Sequence, residues 1–418
     1  VYSLPRVFYN HRVSVKKVNP ILSIPVRRSE SAIAVIPVVG HIYILDGIKM
    51  HGTLGLFTLC SVILCHTAIA QEEWKIMTFN AALQFSIPMR RLRRHYVFKG
   101  LDASDADVVC LQEVYHASDS AWLSDRLSEK FPQSLSFSRR LVNTVTEESL
   151  CKDPKVFAFL QCMSNQCTGY NTSDENGIIA LMRCLHTNCA SPMFSMPQEC
   201  LTCFFLFPDP IEALNVCMNP ETEINVAGLL LLSKYQFIDA RAVEHHKDVV
   251  EIGKQGYLAA NIETIGTVVC THLATSFLKD LYPEDSLPYA NYVDQNLGEV
   301  RQLLDIFKDT NPLLLTGDFN TGPQLPGKDF CEYNPESYKV LTSLNSNLKH
   351  TILDKCTYCK DNTWNQEKCN LIIDHVFVRG LTIKDIKRTF DQRTVQMAAN
   401  RFHISDHYGV IATFVVDQ

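Results

Sequence analysis

The sequence predicts an α/β fold, a layered domain on a buried sheet, interrupted by a disulfide-rich helical insertion. Three observations predict it. Short apolar runs of strand length recur between residues 74 and 415. Amphipathic helical patterns lie between some of them. Eight cysteines crowd into residues 151–217 and break that rhythm.

The strand candidates are 74–80, 107–114, 228–235, 255–262, 266–273, 312–319, 371–378 and 408–415. Each is a short Val-, Ile- and Leu-rich stretch closed by polar or turn residues. One helix is expected over 118–130, where Leu123, Leu127 and Phe131 recur at a spacing of four. Another is expected over 289–308, on Val293, Leu297, Val300, Leu304 and Phe307. Residues 141–225 read as a Cys-rich insertion within the catalytic domain of 71–418, accessory to it. Two C-x4-C stretches there, CMSNQC and CLHTNC, suggest a repeated helical unit.

The N-terminal part has a different character. Residues 1–49 read as an untranslated leader or a disordered segment, and 31–45 is left without an assigned structure. From Met50 the chain reads as a signal peptide over 50–70: an apolar stretch from Leu54 to Cys65, then the small-x-small site Ala68-Ile69-Ala70. Cleavage there would release a secreted, extracellular chain beginning at Gln71.

Composition is ordinary for a globular protein, at 46% hydrophobic and 20% charged residues, which excludes collagen-like, coiled-coil and wholly disordered readings. The net charge of -6 conceals an asymmetry. Residues 71–418 hold 32 basic and 43 acidic residues, a net of -11. A body that acidic is poorly suited to holding nucleic acid by bulk charge.

Of 16 cysteines, Cys60 and Cys65 fall within the signal peptide. Cys110 and Cys270 lie in apolar strand-like runs and are expected as buried free thiols. The remaining twelve form even groups, eight in 151–217 and four at Cys331, Cys356, Cys359 and Cys369. Even groups suit disulfides. The C-x-x-C pairs Cys200/Cys203 and Cys356/Cys359 make zinc the rival, and in a secreted chain oxidation wins. Asn171-Thr172-Ser173 is a glycosylation sequon and marks the insertion as surface.

The chemistry-bearing residues sit where apolar runs stop. Asn80, Glu113, His272, Asp318 with Asn320, Asp374 with His375, and Asp406 with His407 occupy such ends in turn. Singly, each is an ordinary solvated or turn residue. Together they place carboxylates, amides and imidazoles at one kind of position along the whole chain.

In this order the fragments TFN, LQE, THL, GDFN, IDH and SDH resemble the endonuclease/exonuclease/phosphatase superfamily, over about 74–140 and 225–416. The resemblance implies a four-layer α/β sandwich that cleaves phosphoester bonds with magnesium. Within it, CLQEVYHASDSAWLSDRLSEKFP, the Lys254-x-Gly256-Tyr257 element and THLATS are most similar to secreted and neutral sphingomyelinases.

Residue chemistry runs parallel to those implied roles. A hard cation prefers a few carboxylates and retained waters. Glu113 is the first metal-ligand candidate, with Asn80 and Asp406 beside it. Mg2+ is the expected ion, with Mn2+ and Ca2+ open as substitutes. Asp318 is the candidate base and Asn320 would orient water or phosphate. His407 would hydrogen-bond the phosphate, with Asp374 fixing its tautomer and charge. His272 would bind a phosphoryl oxygen or protonate the leaving alkoxide. His375 points to the opposite strand face from Asp374 and reads as structural.

Two functions are expected to compete. The first is a secreted phosphodiesterase acting on a phospholipid, sphingomyelin foremost, at a membrane surface, where Phe204-Phe205-Leu206-Phe207 would either pack in the core or dip into lipid. The second is a deoxyribonuclease-like enzyme with nucleic acid as partner. That family's motif carries an Arg shortly after the metal Glu, where this chain has Val114-Tyr115-His116. A non-catalytic binding protein on the same scaffold is a third reading, disfavoured because every expected catalytic position is filled.

Overall fold

A computed structural model describes residues 72–417 apart from 85–86, 171–174, 208–209, 252, 277–281, 283–287 and 366–368, together with residues 36–38 and 41–43. Those last six form a short antiparallel hairpin, Ile36–Val38 with His41–Tyr43, in the stretch left unassigned above. It belongs to a separate unit, Val1–Ala70. The signal peptide and the sequon lie outside the described residues.

The second unit is an α/β fold with two mixed six-stranded sheets. Its elements in chain order are β1 (Trp74–Asn80), α1 (Arg90–Ala103), β2 (Val108–Gln112), α2 (Ala117–Arg126) and β3 (Gln133–Arg140). The insertion follows with α3 (Pro154–Gln166), α4 (Glu175–Phe194), α5 (Gln198–Phe205) and α6 (Pro210–Cys217). Then come β4 (Glu223–Ser233), β5 (Phe237–Glu244), β6 (Gly256–Ile262), β7 (Gly266–His272), α7 (Tyr292–Ile306) and β8 (Leu313–Asp318). The chain closes with α8 (Pro335–Thr342), β9 (Lys349–His350), β10 (Asp374–Arg379), β11 (Leu381–Thr389), β12 (Val395–Met397), β13 (Asn400–Phe402) and β14 (Gly409–Val416).

One sheet has the order β9-β10-β8-β7-β6-β5 and the other β11-β14-β1-β2-β4-β3. Their inner faces share one core. Ile76, Cys110 and Leu229 come from the second sheet, and Leu258, Val268 and Leu314 from the first. On the outer faces, Val97 and Leu101 of α1 and Leu123 of α2 cover the second sheet. Val300 and Leu303 of α7 cover the first. Strands buried on both sides are continuous apolar runs, and for that reason β1, β2, β4, β6, β7, β8, β10 and β14 all coincide with expected runs. The two expected helices are α2, which starts one residue before and ends four residues short of expectation, and α7, which is trimmed at both ends.

The cysteine groups pair internally. In the insertion, Cys151 joins Cys200, Cys162 joins Cys189, Cys167 joins Cys184 and Cys203 joins Cys217. The two C-x4-C stretches are thus facing turns of α3 and α4, crosslinked first to last and second to third. Cys331 joins Cys369, and Cys356 joins Cys359. The expectation of free thiols at Cys110 and Cys270 is wrong. The two form a disulfide between β2 and β7, 160 residues apart, which ties the sheets through their shared core. Each thiol sits in an apolar strand, and only the face-to-face packing brings them together.

The insertion is less of an appendage than the sequence suggests. Its cysteine-lined core continues through Leu141 into Ile224 and Val226 of β4, and Tyr115 packs against it. Leu206 is buried, and Phe204, Phe205 and Phe207 pack partly buried against that core. Core packing therefore accounts for this aromatic run. Among the described residues no helix is long and apolar enough to cross a membrane.

Candidate active site

The site forms where strand ends of the two sheets meet. In the first sheet, β8 lies between β7 and β10, so that Asp318 is in register with His272 on one side and Asp374 on the other. Gly317 permits this close approach. It has φ 151°, and a Cβ there would lie 1.9 Å from the Thr271 carbonyl oxygen. In the second sheet, Asn80 and Gln112 are paired at the ends of β1 and β2, with Glu113 following, and Asp406-His407 precede β14.

Asp318 is at the centre. Its Oδ2 accepts from Asn80 Nδ2 at 3.0 Å and lies 3.6 Å from His272 Nε2 and 3.8 Å from His407 Nε2. Its Oδ1 accepts the Asn320 N–H at 2.9 Å. Burial, and then the charge of Asp374, push the Asp318 carboxyl up to about 8. A carboxyl so placed takes up a proton readily near neutrality.

His407 Nδ1 lies 2.9 Å from Asp374 Oδ2. Burial alone would lower the imidazole pKa, but Asp374, Asp318 and Asp406 together hold it well above its ordinary value. His272 behaves oppositely. Burial and the neighbouring His407 charge bring it down to about 4, so it is a neutral imidazole at pH 7.

Glu113 adopts φ 59°, which turns it out of the strand line. Its Oε1 accepts from Asn80 Nδ2 at 3.1 Å, whereas its Oε2 is buried without a hydrogen-bond partner. Burial and Asp406 raise its carboxyl to about 7. An unpartnered buried carboxylate oxygen beside a second carboxylate is a costly arrangement for protein alone and suits a hard cation. Glu113 and Asp406 fit that group. The Asn80 oxygen accepts the Ala82 N–H at 3.1 Å, while its amide nitrogen bridges Glu113 and Asp318. This is the geometry of a brace between the carboxylates. Ligand atoms of Asp318, Asp374 and His407 also lie within 4.8 Å of one another. The His407–Asp374 hydrogen bond already occupies that cluster.

The remaining expected residues fall near the site with different partners. Asn320, at φ 48°, donates from Nδ2 to the Leu273 carbonyl at 2.9 Å, tying the ends of β7 and β8 together. That bond uses one of the two amide N–H groups. His375 is buried with Nε2 2.7 Å from the Thr321 carbonyl, among Phe319, Tyr338 and Phe377. It is structural, as strand alternation requires. Lys254 is fully buried, with Nζ 3.6 Å from Glu244 Oε2 and 3.4 Å from Glu251 Oε1.

Sequence reasoning missed Thr357 and Tyr358. Thr357 Oγ1 accepts the N–H groups of Ile373 and Asp374, and its carbonyl accepts the Tyr408 N–H. The Tyr358 ring rests 4.9 Å from the His407 ring. Both residues lie between Cys356 and Cys359, so that disulfide brackets the pair packing against the histidine. The C-x-x-C spacing was their only signal. Ser405 adds a further tie, donating to the Asn80 carbonyl at 2.7 Å.

The endonuclease/exonuclease/phosphatase family model matches residues 77–407. This chain belongs to that family. The match spans every site residue above, and the family's members are metal-dependent phosphoesterases. No curated protein matches the chain. Among solved structures it is similar to an endonuclease/exonuclease/phosphatase from Beutenbergia cavernae, with 16% identity, TM-score 0.47 and 83% and 72% of the two chains covered. It is also similar to TDP2 of D. rerio complexed with single-stranded DNA product (12%, TM-score 0.45, 82% and 99%). A third is sphingomyelinase C from Streptomyces griseocarneus (14%, TM-score 0.42, 82% and 99%).

Proposed function

We propose that this family member is a secreted, Mg2+-dependent phosphodiesterase that hydrolyses sphingomyelin to ceramide and phosphocholine. The observation that carries the hydrolytic reading is Asp318 Oδ2. It faces both imidazole Nε2 atoms, next to a glutamate with an unpartnered carboxylate oxygen. Asp318 is the base that takes a proton from the attacking water as the water–phosphorus bond forms and the bond to the lipid alkoxide breaks. The His407 imidazolium, oriented by Asp374, binds a phosphoryl oxygen and offsets its growing charge. Neutral His272 donates a hydrogen bond to another. Glu113 and Asp406 would hold Mg2+, which supplies Lewis-acid stabilisation of the phosphoryl group and leaving oxygen.

Three features support a lipid over a nucleic acid. The body carries a net charge of -11. The sequence likeness around Glu113, Lys254 and His272 is to sphingomyelinases. Beyond Glu113 no cation follows: Val114 and His116 are buried, His116 meets Phe207 edge to face, and Tyr115 packs toward Gly228. The seven disulfides among the described residues suit an oxidising compartment and so support secretion. The nuclease reading has one observation of its own, the Arg90, Arg91 and Arg94 group at the start of α1. Purified protein should be offered sphingomyelin, lysophospholipid and DNA, each with Mg2+ and with chelator. Chelator-sensitive phosphocholine release from sphingomyelin is the expected result. Cleavage of DNA alone would replace the lipid reading with the nuclease one.

A further inference from the structure

Arg93 is a buried cation that the proposed chemistry leaves unused. It lies on the inner face of α1, fully inaccessible, in line with Val97 and Leu101. Burying a charge in a protein costs several kcal/mol unless it is fully hydrogen-bonded. Here all five guanidinium N–H groups are used, and every acceptor is a backbone carbonyl. Nε donates to Pro88 at 2.9 Å. Nη1 donates to Ala81 at 3.3 Å and Ile404 at 3.2 Å. Nη2 donates to Ala82 at 2.7 Å and Ile87 at 3.0 Å.

Those five carbonyls come from only two places. Four are in the turn that leaves Asn80, and the fifth is two residues before Asp406. The Ala81 N–H of this turn bonds the Gln112 carbonyl, and Ala82 sits at φ 47°, a conformation that a side-chain-bearing residue adopts at a cost. Its N–H goes to Asn80 Oδ1, and Ser405 completes the tie through the Asn80 carbonyl. Arg93 thus joins the segment carrying the Asn80 brace to the segment carrying Asp406. Burial brings its pKa down only to about 10, so it stays charged, within the field of Asp406 and Glu113.

We propose that Arg93 is a positioning residue of the cation site, holding Asn80 and Asp406 in place around Glu113 before the ion arrives. This rests on the reading of Glu113 and Asp406 as cation ligands. The role makes a distinctive prediction of sign. A fixed positive charge near a divalent cation repels it, so a mere counter-charge, once removed, would leave Mg2+ bound more tightly. A positioning residue, once removed, leaves it bound more weakly, by about 10–100-fold for an outer-shell partner.

The experiment is Mg2+ titration of the full secreted chain by calorimetry and by Mg2+-dependent shift of the melting temperature, in parent, Arg93→Gln and Arg93→Lys proteins. Arg93→Lys keeps the charge but has three donors in place of five. Weaker Mg2+ binding in both, with Arg93→Lys less affected than Arg93→Gln, is expected. A folded variant with parent-like or tighter Mg2+ affinity would overturn the proposal while leaving the cation reading intact. A parent that binds no Mg2+ would remove the cation reading and this proposal together. Hydrogen exchange on the parent requires no variant: amides of 81–84 should be equally protected with and without Mg2+. Protection that appears only on Mg2+ addition would show a turn ordered by the ion, and the proposal would fall.

Discussion

His407 Nδ1 and Asp374 Oδ2 are 2.9 Å apart across the junction of the two sheets, although 33 residues separate them in the chain. Asp374 opens β10 of one sheet and His407 precedes β14 of the other. The hydrogen bond therefore exists only when both sheets are formed and packed. His407→Ala should lower turnover by about 10^3-fold, within the range for removing one donor that stabilises developing charge. Asp374→Asn keeps a hydrogen-bonding partner and loses the charge, so a smaller defect is expected. The double variant should be little worse than His407→Ala, because the pair acts as a unit. Steady-state kinetics on the four proteins decide it, and fully additive losses would show independent action.

Glu113→Gln preserves shape and removes the carboxylate that would hold the cation. Turnover should fall by about 10^2–10^3-fold, the equivalent of several kcal/mol of charge stabilisation. The melting temperature without Mg2+ should stay level or rise, since the variant no longer buries an unpartnered carboxylate oxygen. Activity that persists both in this variant and in chelator would refute a metal mechanism.

The Cys110–Cys270 bond closes the longest loop among the described disulfides. Chain-entropy arguments place its contribution at up to about 5 kcal/mol. The double replacement Cys110→Ala with Cys270→Ala should lower the denaturation midpoint markedly while leaving kcat near the parent value at low temperature. An unchanged midpoint would mean that the shared core alone fixes the two sheets.

Acid should destabilise the protein through buried histidines that the proposed chemistry does not use. Burial lowers His116 to about 4, burial lowers His375 to about 4, and burial together with His375 lowers His350 to about 2. The unfolded chain binds these protons near pH 6.5 and the folded chain does not. Their contribution is complete above about pH 6.5 and is lost as pH falls from there toward about 4, at up to about 1.4 kcal/mol per pH unit for each group. Denaturant unfolding at pH 7, 6 and 5 measures this slope, and His350→Phe should flatten it. A pH-independent midpoint over that range would contradict it.

Removing the insertion tests how far the domain relies on it. Deleting 151–217 exposes Ile224 and Val226 and uncovers Tyr115, two residues from Glu113. Activity on a small soluble phosphodiester and on membranes should be lost together, with reduced secretion. Retained activity on the soluble substrate alone would restore the accessory role that the sequence suggested.

The α/β class, the central strands, two helices and a disulfide-rich helical region were legible without coordinates, as were the polar side chains at the strand ends. Central strands are apolar on both faces and stop abruptly, so their ends mark the chemistry. The edge strands β3, β5 and β11 were not legible, because their exposed faces carry charged and polar residues that blur the pattern. Helix α1 was missed because Arg93 occupies a core position in its apolar stripe. A cation there makes sense only once five carbonyls surround it. The free-thiol reading of Cys110 and Cys270 failed for a related reason, since local hydrophobicity cannot register a partner 160 residues away. The sequence by itself determined which side chains are available and at which strand ends they sit. Only the tertiary structure decided their partners: Asn80 as a brace, Asn320 as a tie, Thr357 and Tyr358 against the His407–Asp374 pair. Residue type and spacing specify position along a strand, whereas hydrogen-bond partners depend on how the two sheets meet.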